Sequence, residues 1–390
     1  MPKKIIFINS HPIQYFAPMY KYMNEQGVNT EAWYCSDESI KGGFDKEFGV
    51  KITWDIPLLN GYSYRFFKNY SWKPSISKGF FGLINLGLIK QLFNEPKAVI
   101  IVHGWNYFTH FMVLMLGKLK GHTICLRNDM PLSHEYYKKG WKQKVKKIGL
   151  KYFLFPRIDK FLYIGSQNKL FYKSYQIKEK RLVSCPYAVD NDRFKAEFKV
   201  IKPNISSIKT KLGIPESDKI IIFSGKYIDK KRPLDLLHAF KNLNSPNCWL
   251  IMVGEGELRA TMEAYIIQHS LKQVILTGFV NQSKIAEYYA IGDLFVMCSS
   301  LGENWGLSVN EAMNFDLPLL LSDLTGCSSD LVKIGNNGYM FKTGDTDALS
   351  INLEKILLKN QLSWTSSSKT IIDNYDFDKI IENLRPLLLL

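Results

Sequence analysis

The stretch Gly302-Glu303-Asn304-Trp305-Gly306-Leu307-Ser308-Val309-Asn310-Glu311-Ala312-Met313 places two carboxylates eight positions apart, with a glycine between them. The apolar run before it, Leu294 to Met297, predicts a strand, and the apolar spacing from Leu307 to Phe315 predicts a helix that begins after the second glycine. The first carboxylate is therefore expected in a loop and the second one turn inside the helix. In that arrangement both can face one ligand bound over the helix N-terminus.

The predicted helix start also offers backbone donors. The N–H groups of Gly306, Leu307 and Ser308 would belong to the first turn, where a helix has no internal acceptor for them. A helix N-terminus of this kind favours an anion. The sequence here suits a diphosphate flanked by hydroxyl-rich groups.

The two glutamates, Glu303 and Glu311, and the following segment Phe315 to Asp323 resemble the paired-glutamate motif of the family-4 retaining glycosyltransferases, which are enzymes of GT-B fold. The resemblance implies that Glu303 approaches the donor sugar and that Glu311 holds the ribose of the nucleotide. The alternative is a surface loop with two solvated acids, which the helix dipole favours without any ligand.

Length and composition limit the class of protein. A chain of 390 residues with 46% hydrophobic residues is expected to form two domains. Its formal charge of +15 calls for an anionic partner, such as nucleic acid, anionic lipid or a phosphorylated substrate. The six cysteines are scattered without metal-ligand spacing, so we expect no metal site, no disulfide framework and a reduced compartment.

The N-terminal sequence predicts a first strand, Ile5 to Ile8, and its apolar run is too short for a signal peptide. No apolar run reaches the length that a membrane-spanning helix needs. We therefore expect a cytoplasmic protein, with peripheral attachment to the inner face of the plasma membrane left open.

Short apolar runs alternate with segments of helical period along the whole chain, which predicts parallel sheets covered by helices. We predict an α/β protein of GT-B type, with two Rossmann-like doubly wound domains facing each other across a cleft. Ligands of such sheets bind outside the carboxyl ends of the strands. The predicted strands are Ile5 to Ile8, Ala98 to His103, Thr123 to Leu126, Lys160 to Ile164, Ile220 to Ser224, Trp249 to Val253, Val274 to Thr277, Leu294 to Met297 and Leu319 to Ser322.

The predicted domains are an acceptor-binding domain at 1–195 and a donor-binding domain at 196–374. The polar, lysine-rich segment Phe194 to Asp218 is interpreted as the linker and the entry to the second domain. The last segment, 375–390, resembles the C-terminal helix that returns to the first domain in GT-B proteins. An edge helix of the second domain is the alternative.

The predicted donor site continues after the strand Ile220 to Ser224. The segment from Gly225 to Pro233 is similar to the family's segment in which two cations clamp the donor diphosphate. Lys226 stands where the family has arginine, and Lys231 where it has lysine. A lysine keeps the charge but not the two-pronged geometry of an arginine. A basic turn that solvates a helix start is the alternative.

Two further turns are similar to nucleotide-binding turns of the family. Gly254 and Glu255 follow the strand Trp249 to Val253, and the glycine would allow close approach of a ligand. Phe279 and Val280 match the loop whose backbone meets the base. For the first turn, an ordinary strand-to-helix connection is the alternative.

The first domain departs from the family pattern. His11 stands after the first strand, where the family commonly has a glycine-rich loop, and it could donate a hydrogen bond to sugar or phosphate; capping of the next helix is the alternative. The strand Thr123 to Leu126 is followed by Arg127, Asn128 and Asp129 rather than by the family's histidine. We include Asp129 and His103, which ends the preceding strand, as candidate catalytic residues together with His11, Lys226, Lys231 and Glu303.

The segment Lys138 to Lys151 contains seven lysines and no acid, with apolar residues at helical spacing. This pattern predicts a basic amphipathic helix that lies on an anionic membrane surface. The alternative is a helix whose apolar stripe faces the core.

Together these features predict a metal-independent, retaining glycosyltransferase that moves a sugar from a nucleotide-diphosphate sugar, a UDP-sugar, to a saccharide or lipid-linked saccharide in bacterial polysaccharide biosynthesis. The nucleotide sugar is the substrate, and no further cofactor is expected. The alternatives are a GT-B-like sugar-nucleotide epimerase, and a basic nucleic-acid-binding protein whose only support is the net charge.

Overall fold

The computed structural model describes residues 3–45, 49–52, 54–363 and 367–389. The chain forms two compact units. Unit 1 comprises Met1–Gly43, Ile56–Tyr187 and Asp376–Leu390, and unit 2 comprises Phe44–Asp55 and Ala188–Tyr375. Residues 1 and 2 of the predicted first domain and residue 390 of the predicted C-terminal helix lie outside the described residues.

Unit 1 contains a parallel sheet of seven strands in the order β5-β2-β1-β6-β7-β8-β9. The first strand is buried along its whole length. A parallel sheet with helices on both faces explains this burial. The strands are β1 (Ile5–Asn9), β2 (Thr30–Tyr34), β5 (Ser63–Phe66), β6 (Val99–His103), β7 (Thr123–Arg127), β8 (Lys160–Tyr163) and β9 (Leu182–Ser184).

The helices of unit 1 cover this sheet and complete one hydrophobic core. They are α1 (Phe16–Glu25), α2 (Leu86–Asn94), α3 (Phe108–Leu116), α4 (Leu132–Glu135), α5 (Trp141–Ile148), α6 (Ser166–Ser174) and, from the end of the chain, α16 (Phe377–Leu384). A π-helical turn, Gly149–Leu154, continues α5. A separate two-stranded sheet pairs β3 (Gly43–Asp45) with β4 (Val50–Ile52).

Unit 2 contains a second parallel sheet, of six strands, in the order β12-β11-β10-β13-β14-β15. This is the strand order of a Rossmann fold, in which the order reverses between the first and fourth strands. The strands are β10 (Lys219–Ser224), β11 (Cys248–Val253), β12 (Val274–Leu276), β13 (Leu294–Met297), β14 (Leu319–Ser322) and β15 (Gly338–Phe341).

The helices of unit 2 pack on this sheet around a second core. They are α7 (Asn191–Ile201), α8 (Ile205–Lys211), α9 (Pro233–Leu243), α10 (Arg259–Gln268), α11 (Ile285–Ile291), α12 (Leu307–Met313), α13 (Ser328–Leu331), α14 (Thr346–Leu357) and α15 (Ser368–Ile372).

All nine strands predicted from the sequence are present, with bounds that differ by at most one residue. The segment Phe194 to Asp218, predicted as the linker and the entry to the second domain, lies at the start of unit 2 and is not an extended linker, because α7 and α8 occupy most of it. Asp190 caps α7 by accepting a hydrogen bond from the backbone N–H of Arg193 at 3.0 Å. Phe194 is fully buried, so α7 packs on the core of unit 2, while Lys199 is exposed and Lys195 pairs with Asp373.

Candidate active site

The strand order of unit 2 reverses between β10 and β13, which pair in parallel through Ile221 and Leu294. At such a switch point the loops after the two strands diverge and leave a crevice at their carboxyl ends. Lys226 and Lys231 follow β10, and Glu303 follows β13. The structure therefore places three of the predicted catalytic residues on the two loops that flank the switch point.

A tight turn after β10 positions Lys231. The 3₁₀ turn Asp229–Lys231 ends at Arg232, which has a positive φ of 48°. The side chain of Lys231 folds back toward the end of β10, so that a methyl group added at Gly225 would lie 3.6 Å from Cδ of the lysine. Gly225 thus leaves room for this lysine beside the strand end, and Lys226, next along the chain, is partly exposed.

The ammonium group of Lys231 forms an ion pair with the carboxylate of Glu303. The two side chains are only 13% and 12% exposed. Backbone bonds fix the loop that carries the glutamate: Ser300 N–H donates to the Lys230 carbonyl at 2.8 Å, and Gly326 N–H donates to the Glu303 carbonyl at 3.0 Å. Backbone hydrogen bonds to neighbouring segments therefore hold the loop of Glu303 in place beside Lys231.

The helix α12 begins after Gly306, whose φ is 101°, a left-handed value that favours glycine. The Ser308 hydroxyl donates to the carbonyl of Ser224, the last residue of β10, at 3.2 Å. The amides of Gly306, Leu307 and Ser308 thus start a helix next to the switch point, as predicted from the sequence. Their role in binding an anion stays a prediction.

Glu311 faces the interior of unit 2 and is 2% exposed. One carboxylate oxygen accepts a hydrogen bond from the Tyr289 hydroxyl at 2.8 Å, and the other accepts from Nε2 of Gln282 at 3.1 Å. Arg193 in turn donates to the side-chain oxygen of Gln282 at 2.8 Å. Both carboxylate oxygens of Glu311, the residue predicted to bind the ribose, therefore accept hydrogen bonds from protein side chains.

The glycine turn after β11 touches the turn after β10. Gly254 N–H donates to the Gly278 carbonyl at 3.0 Å, and Tyr227 N–H donates to the Glu255 carbonyl at 2.8 Å. The carboxylate of Glu255 pairs with Arg259 at 2.8 Å, a pair at the start of α10. A methyl group at Gly254 would lie 1.9 Å from the carbonyl oxygen of Gly225. The close approach of the two turns requires glycine here.

Phe279 and Val280 follow Gly278, whose carbonyl accepts the hydrogen bond from Gly254, and both are partly buried. The ring of Phe279 lies 6.1 Å from that of Trp54, in an edge-on arrangement. The predicted base-binding loop therefore lies beside the glycine turn in unit 2. Its contact with a base stays a prediction.

In unit 1, His103 ends β6 and its ring lies 4.6 Å from that of Phe16. Burial, together with the positive charge of Arg127, holds the pKa of His103 well below 6.5. Arg127 itself is 3% exposed and donates from Nη2 to the Cys185 and Pro186 carbonyls at 3.2 and 2.9 Å. This neutral histidine and the buried cation lie at the carboxyl ends of neighbouring strands.

Asp129 accepts a hydrogen bond from the Tyr187 hydroxyl at 3.3 Å. The same ring lies 4.9 Å from the guanidinium of Arg127, which links the aspartate to the strand end described above. His11 follows β1, and its Nδ1 lies 2.9 Å from the Ser10 hydroxyl. Burial lowers the pKa of His11 to about 4.

Four residues around these groups were not singled out from the sequence: Gln282, Tyr289, His110 and Arg127. His110 lies on α3 and places Nδ1 3.0 Å from the His103 carbonyl. Gln282 and Tyr289 contact Glu311 from 29 and 22 positions away, Arg127 lies beside His103 on the neighbouring strand, and His110 contacts His103 from the helix after β6. The motif spacing carries no signal for such contacts.

Within the described ranges, no cluster of three or more His, Cys, Asp or Glu side chains is placed to hold a metal ion. In the same part of the chain, no helix combines the length and apolar character needed to cross a membrane. All six cysteines are buried free thiols.

The geometry of unit 2 agrees with comparison to known proteins. Residues 204–374 match the family model described as glycosyl transferases group 1. The matched segment lies inside unit 2 and contains the switch point with its lysines and glutamates.

Two curated relatives are the N-acetyl-alpha-D-glucosaminyl L-malate synthase of Bacillus anthracis and the alpha-monoglucosyldiacylglycerol synthase of Acholeplasma laidlawii. The first is 26% identical over 185 residues, which are 46% of this chain and 48% of that protein. The second is 28% identical over 144 residues, 36% of each protein. The chain thus spans half or less of the length of these two relatives.

The structure is also similar to that of HepE from Anabaena, solved in complex with UDP and glucose. The TM-score is 0.73 with 15% sequence identity, over 99% of both chains. This likeness concerns the fold. The fold class predicted from the sequence is confirmed as GT-B, with two Rossmann-like α/β units.

Proposed function

We propose that this protein is a retaining glycosyltransferase of family 4 that transfers a sugar from a nucleotide-diphosphate sugar, a UDP-sugar, to a saccharide or lipid-linked saccharide in bacterial polysaccharide biosynthesis. The observation that carries the proposal is the largely buried pair of Lys231 and Glu303 beside the switch point of unit 2. Such a crevice is where Rossmann-like sheets bind nucleotides. The solved complex of HepE with UDP and glucose supports the choice of uridine.

The lysines after β10 supply the electrostatic part of the mechanism. When the bond between the sugar C1 and the phosphate oxygen breaks, negative charge accumulates on the departing diphosphate. Lys231 and Lys226 stand where they could stabilise this charge, and fixed cations in a partly buried site are more effective than cations in water. The proposed mechanism uses no metal ion.

The reaction is proposed to keep the anomeric configuration. The acceptor oxygen bonds to C1 on the face that the leaving diphosphate vacates, and the acceptor proton passes to an oxygen of that diphosphate. Glu303 orients the donor sugar and is not assigned as a covalent nucleophile. Its braced loop suits a positioning task, because a carboxylate that must orient a hydroxyl needs a fixed direction.

The nucleotide would be held by the buried half of the site. Glu311 is the proposed ribose ligand, with its direction set by Tyr289 and Gln282. The turn at Gly254 and the loop at Phe279 are the proposed contacts for the rest of the nucleotide. The candidates in unit 1 are proposed as hydrogen-bonding groups for sugar hydroxyls: His11, His103 and Asp129. The cytoplasmic location of the protein stays a prediction.

Titration calorimetry with UDP-, GDP- and ADP-sugars tests this proposal, followed by NMR of the product with a saccharide acceptor. We expect the UDP-sugar to bind at least tenfold more tightly than the others, and the product to keep the donor's anomeric configuration. The variant Lys231→Ala should lose binding, and Lys284→Ala, at an exposed lysine of the same unit, should not.

Three results would refute the proposal. Failure of every sugar nucleotide to bind would remove the donor site. Conversion of the donor alone into its epimer would show an epimerase, and an inverted product would exclude the retaining mechanism.

A further inference from the structure

A basic surface with exposed apolar side chains lies on unit 1, on the segment that continues from α4 into α5. Five large apolar side chains on α5 and on the π-helical turn after it point into solvent and are between 55% and 70% exposed. We name them the apolar stripe: Trp141, Val145, Ile148, Tyr152 and Phe153. The interpretation of this stripe as a core-facing surface is therefore wrong for unit 1.

Lysines flank the stripe. Lys138 and Lys146 are engaged by Glu135, at 2.6 and 3.5 Å. The other lysines of the segment have no acidic partner within 4 Å in the described part of the chain, and four of them are exposed. These five lysines are Lys139, Lys142, Lys144, Lys147 and Lys151. A concentration of uncompensated positive charge therefore surrounds an exposed apolar surface.

A pocket of about 500 Å³ opens beside the stripe. Its walls are almost entirely apolar and include Trp105, Phe111, Met115 and Leu150. Phe153 belongs both to the pocket wall and to the stripe, so the two surfaces are continuous. An apolar pocket of this size next to a charged rim can take a hydrocarbon chain.

Exposed aromatic side chains extend this surface on the far side of the pocket. The ring of Phe80, which also lines the pocket, lies 5.9 Å from that of Phe111 and 5.0 Å from that of Phe81. Trp72, which is 71% exposed, lies 5.5 Å from Phe81. Monomeric proteins seldom expose so large a continuous apolar patch without a partner.

We propose that this face of unit 1 docks on an anionic lipid bilayer and that the pocket takes up one hydrocarbon chain of a membrane lipid. The lysines meet the negative surface potential of the headgroups, and the stripe enters the boundary between headgroups and acyl chains. The tryptophan and tyrosine side chains suit that boundary because each combines an apolar ring with one polar N–H or O–H group.

Charge complementarity together with the aliphatic members of the stripe favours a bilayer over nucleic acid. Val145 and Ile148 lie in the middle of the stripe and present no ring on which a base could stack. The pocket adds depth that a phosphate backbone cannot fill. The proposal concerns unit 1 and stands whether or not the transferase activity of unit 2 is confirmed.

Vesicle co-sedimentation of the full chain tests the charged part of the proposal. The probes are vesicles of phosphatidylcholine alone and of phosphatidylcholine mixed with phosphatidylglycerol. We expect at least about tenfold stronger binding to the anionic vesicles, and a similar loss in a variant with Lys139, Lys142 and Lys147 changed to Glu. The matched control changes three exposed lysines of unit 2, Lys241, Lys272 and Lys342, and should stay within about twofold of the wild type.

The apolar stripe is tested in the same assay. The variant Trp141→Ser/Ile148→Ser should lose binding to anionic vesicles by about tenfold or more. The control Ile267→Ser/Ile334→Ser replaces two equally exposed apolar side chains of unit 2 and should bind as the wild type does. Because all four sites are exposed, the variants are expected to fold, and a thermal melt checks this.

The pocket is tested by contact with lipid chains. Trp105 lines it, so phospholipids brominated on their acyl chains should quench a part of the fluorescence that is missing in Trp105→Phe. Gly149 lies in the pocket wall with an ordinary helical φ of −58°, and a methyl group added there meets nothing within 4 Å. Gly149→Phe should therefore fill the pocket and abolish this quenching, whereas Gly149→Ala should keep it.

Equal binding to neutral and anionic vesicles, or binding that none of these variants changes, would overturn the proposal. So would binding to vesicles without any Trp105-dependent quenching. Binding of single-stranded oligonucleotides that disappears in the triple lysine variant, with no vesicle binding, would assign the face to nucleic acid instead. Sugar-nucleotide turnover measured on the same samples reports separately on the proposed function.

Discussion

The ammonium group of Lys231 and the carboxylate of Glu303 form an ion pair between the loops that follow β10 and β13. Each partner neutralises the other in a site where both are largely withdrawn from water. A bound diphosphate would compete with the glutamate for the lysine. The two residues are therefore expected to affect diphosphate binding in opposite directions.

The first prediction concerns this opposition. Lys231→Ala should weaken UDP binding by at least about tenfold, which corresponds to about 1.4 kcal/mol, because a cation facing the diphosphate is lost. Glu303→Ala should leave UDP binding unchanged or tighten it, since Lys231 loses its competing partner, yet lower turnover of the UDP-sugar by at least tenfold. Calorimetry with UDP and steady-state kinetics measure the two effects. Equal loss of UDP binding in both variants would contradict this account.

The second prediction concerns the buried carboxylate of Glu311. Tyr289→Phe removes the hydroxyl donor at 2.8 Å and should lower the free energy of unfolding by about 1–3 kcal/mol, because a buried acceptor loses its partner. The control Tyr339→Phe removes a hydroxyl that donates to the exposed Gln361 carbonyl, where water can replace it, and should cost about 0.5 kcal/mol. Urea unfolding measures both.

Glu311→Ala should also weaken donor binding by tenfold or more if Glu311 holds the ribose. Titration with a UDP-sugar, at a temperature where the variant remains folded, separates this effect from the loss of stability. Unchanged donor affinity in a folded Glu311→Ala protein would remove the ribose role.

The sequence predicted the elements that are apolar and periodic. All nine apolar runs that were predicted as strands form strands, because burial of both faces of a parallel sheet demands such runs, but β9 and β15 were not predicted. The strand β2 was missed since it begins with Thr30 and Glu31, whose burial the structure explains through Lys4 and Arg65, which pair with the glutamate. The edge strand β5 was missed for the opposite reason, as all four of its residues are exposed.

The candidate site was predictable only as far as the local motif extends. The glycine at Gly306 and the position of Glu311 on a helix follow from spacing, and the structure has both. The contacts of Glu311 with Gln282 and Tyr289 join residues 29 and 22 positions apart, and such pairings depend on how helices pack. The helical content of Phe194 to Asp218 was hidden by its many lysines, of which the structure leaves Lys199, Lys202 and Lys211 exposed and buries Lys209.

The third prediction concerns the contact between two turns of the candidate site. Gly254→Ala should destabilise unit 2 by about 3 kcal/mol or more, because the added methyl group would lie 1.9 Å from the Gly225 carbonyl oxygen and the backbone must shift. The control Gly335→Ala also has a positive φ, of 73°, but meets nothing within 4 Å, so it should cost only about 1–2 kcal/mol. Denaturant unfolding of the two variants checks this difference, and equal losses would show that the turns can separate at no cost.

The fourth prediction concerns the pH dependence of unit 1. Burial lowers the pKa of His110 to about 4 from its ordinary value of 6.5. As the pH falls below 6.5, the unfolded chain binds a proton at this histidine that the folded chain does not, so the folded state loses stability until the pH reaches about 4. At pH 5 the loss is about 2 kcal/mol relative to pH 7. His110→Gln removes this titration, so its stability should fall less between pH 7 and pH 5. The control His238→Gln, at an exposed histidine of unit 2, should follow the wild type.

Urea unfolding at pH 7 and pH 5 measures these stabilities. Parallel pH profiles for the wild type and His110→Gln would show that His110 takes up its proton in the folded state as readily as in the unfolded chain.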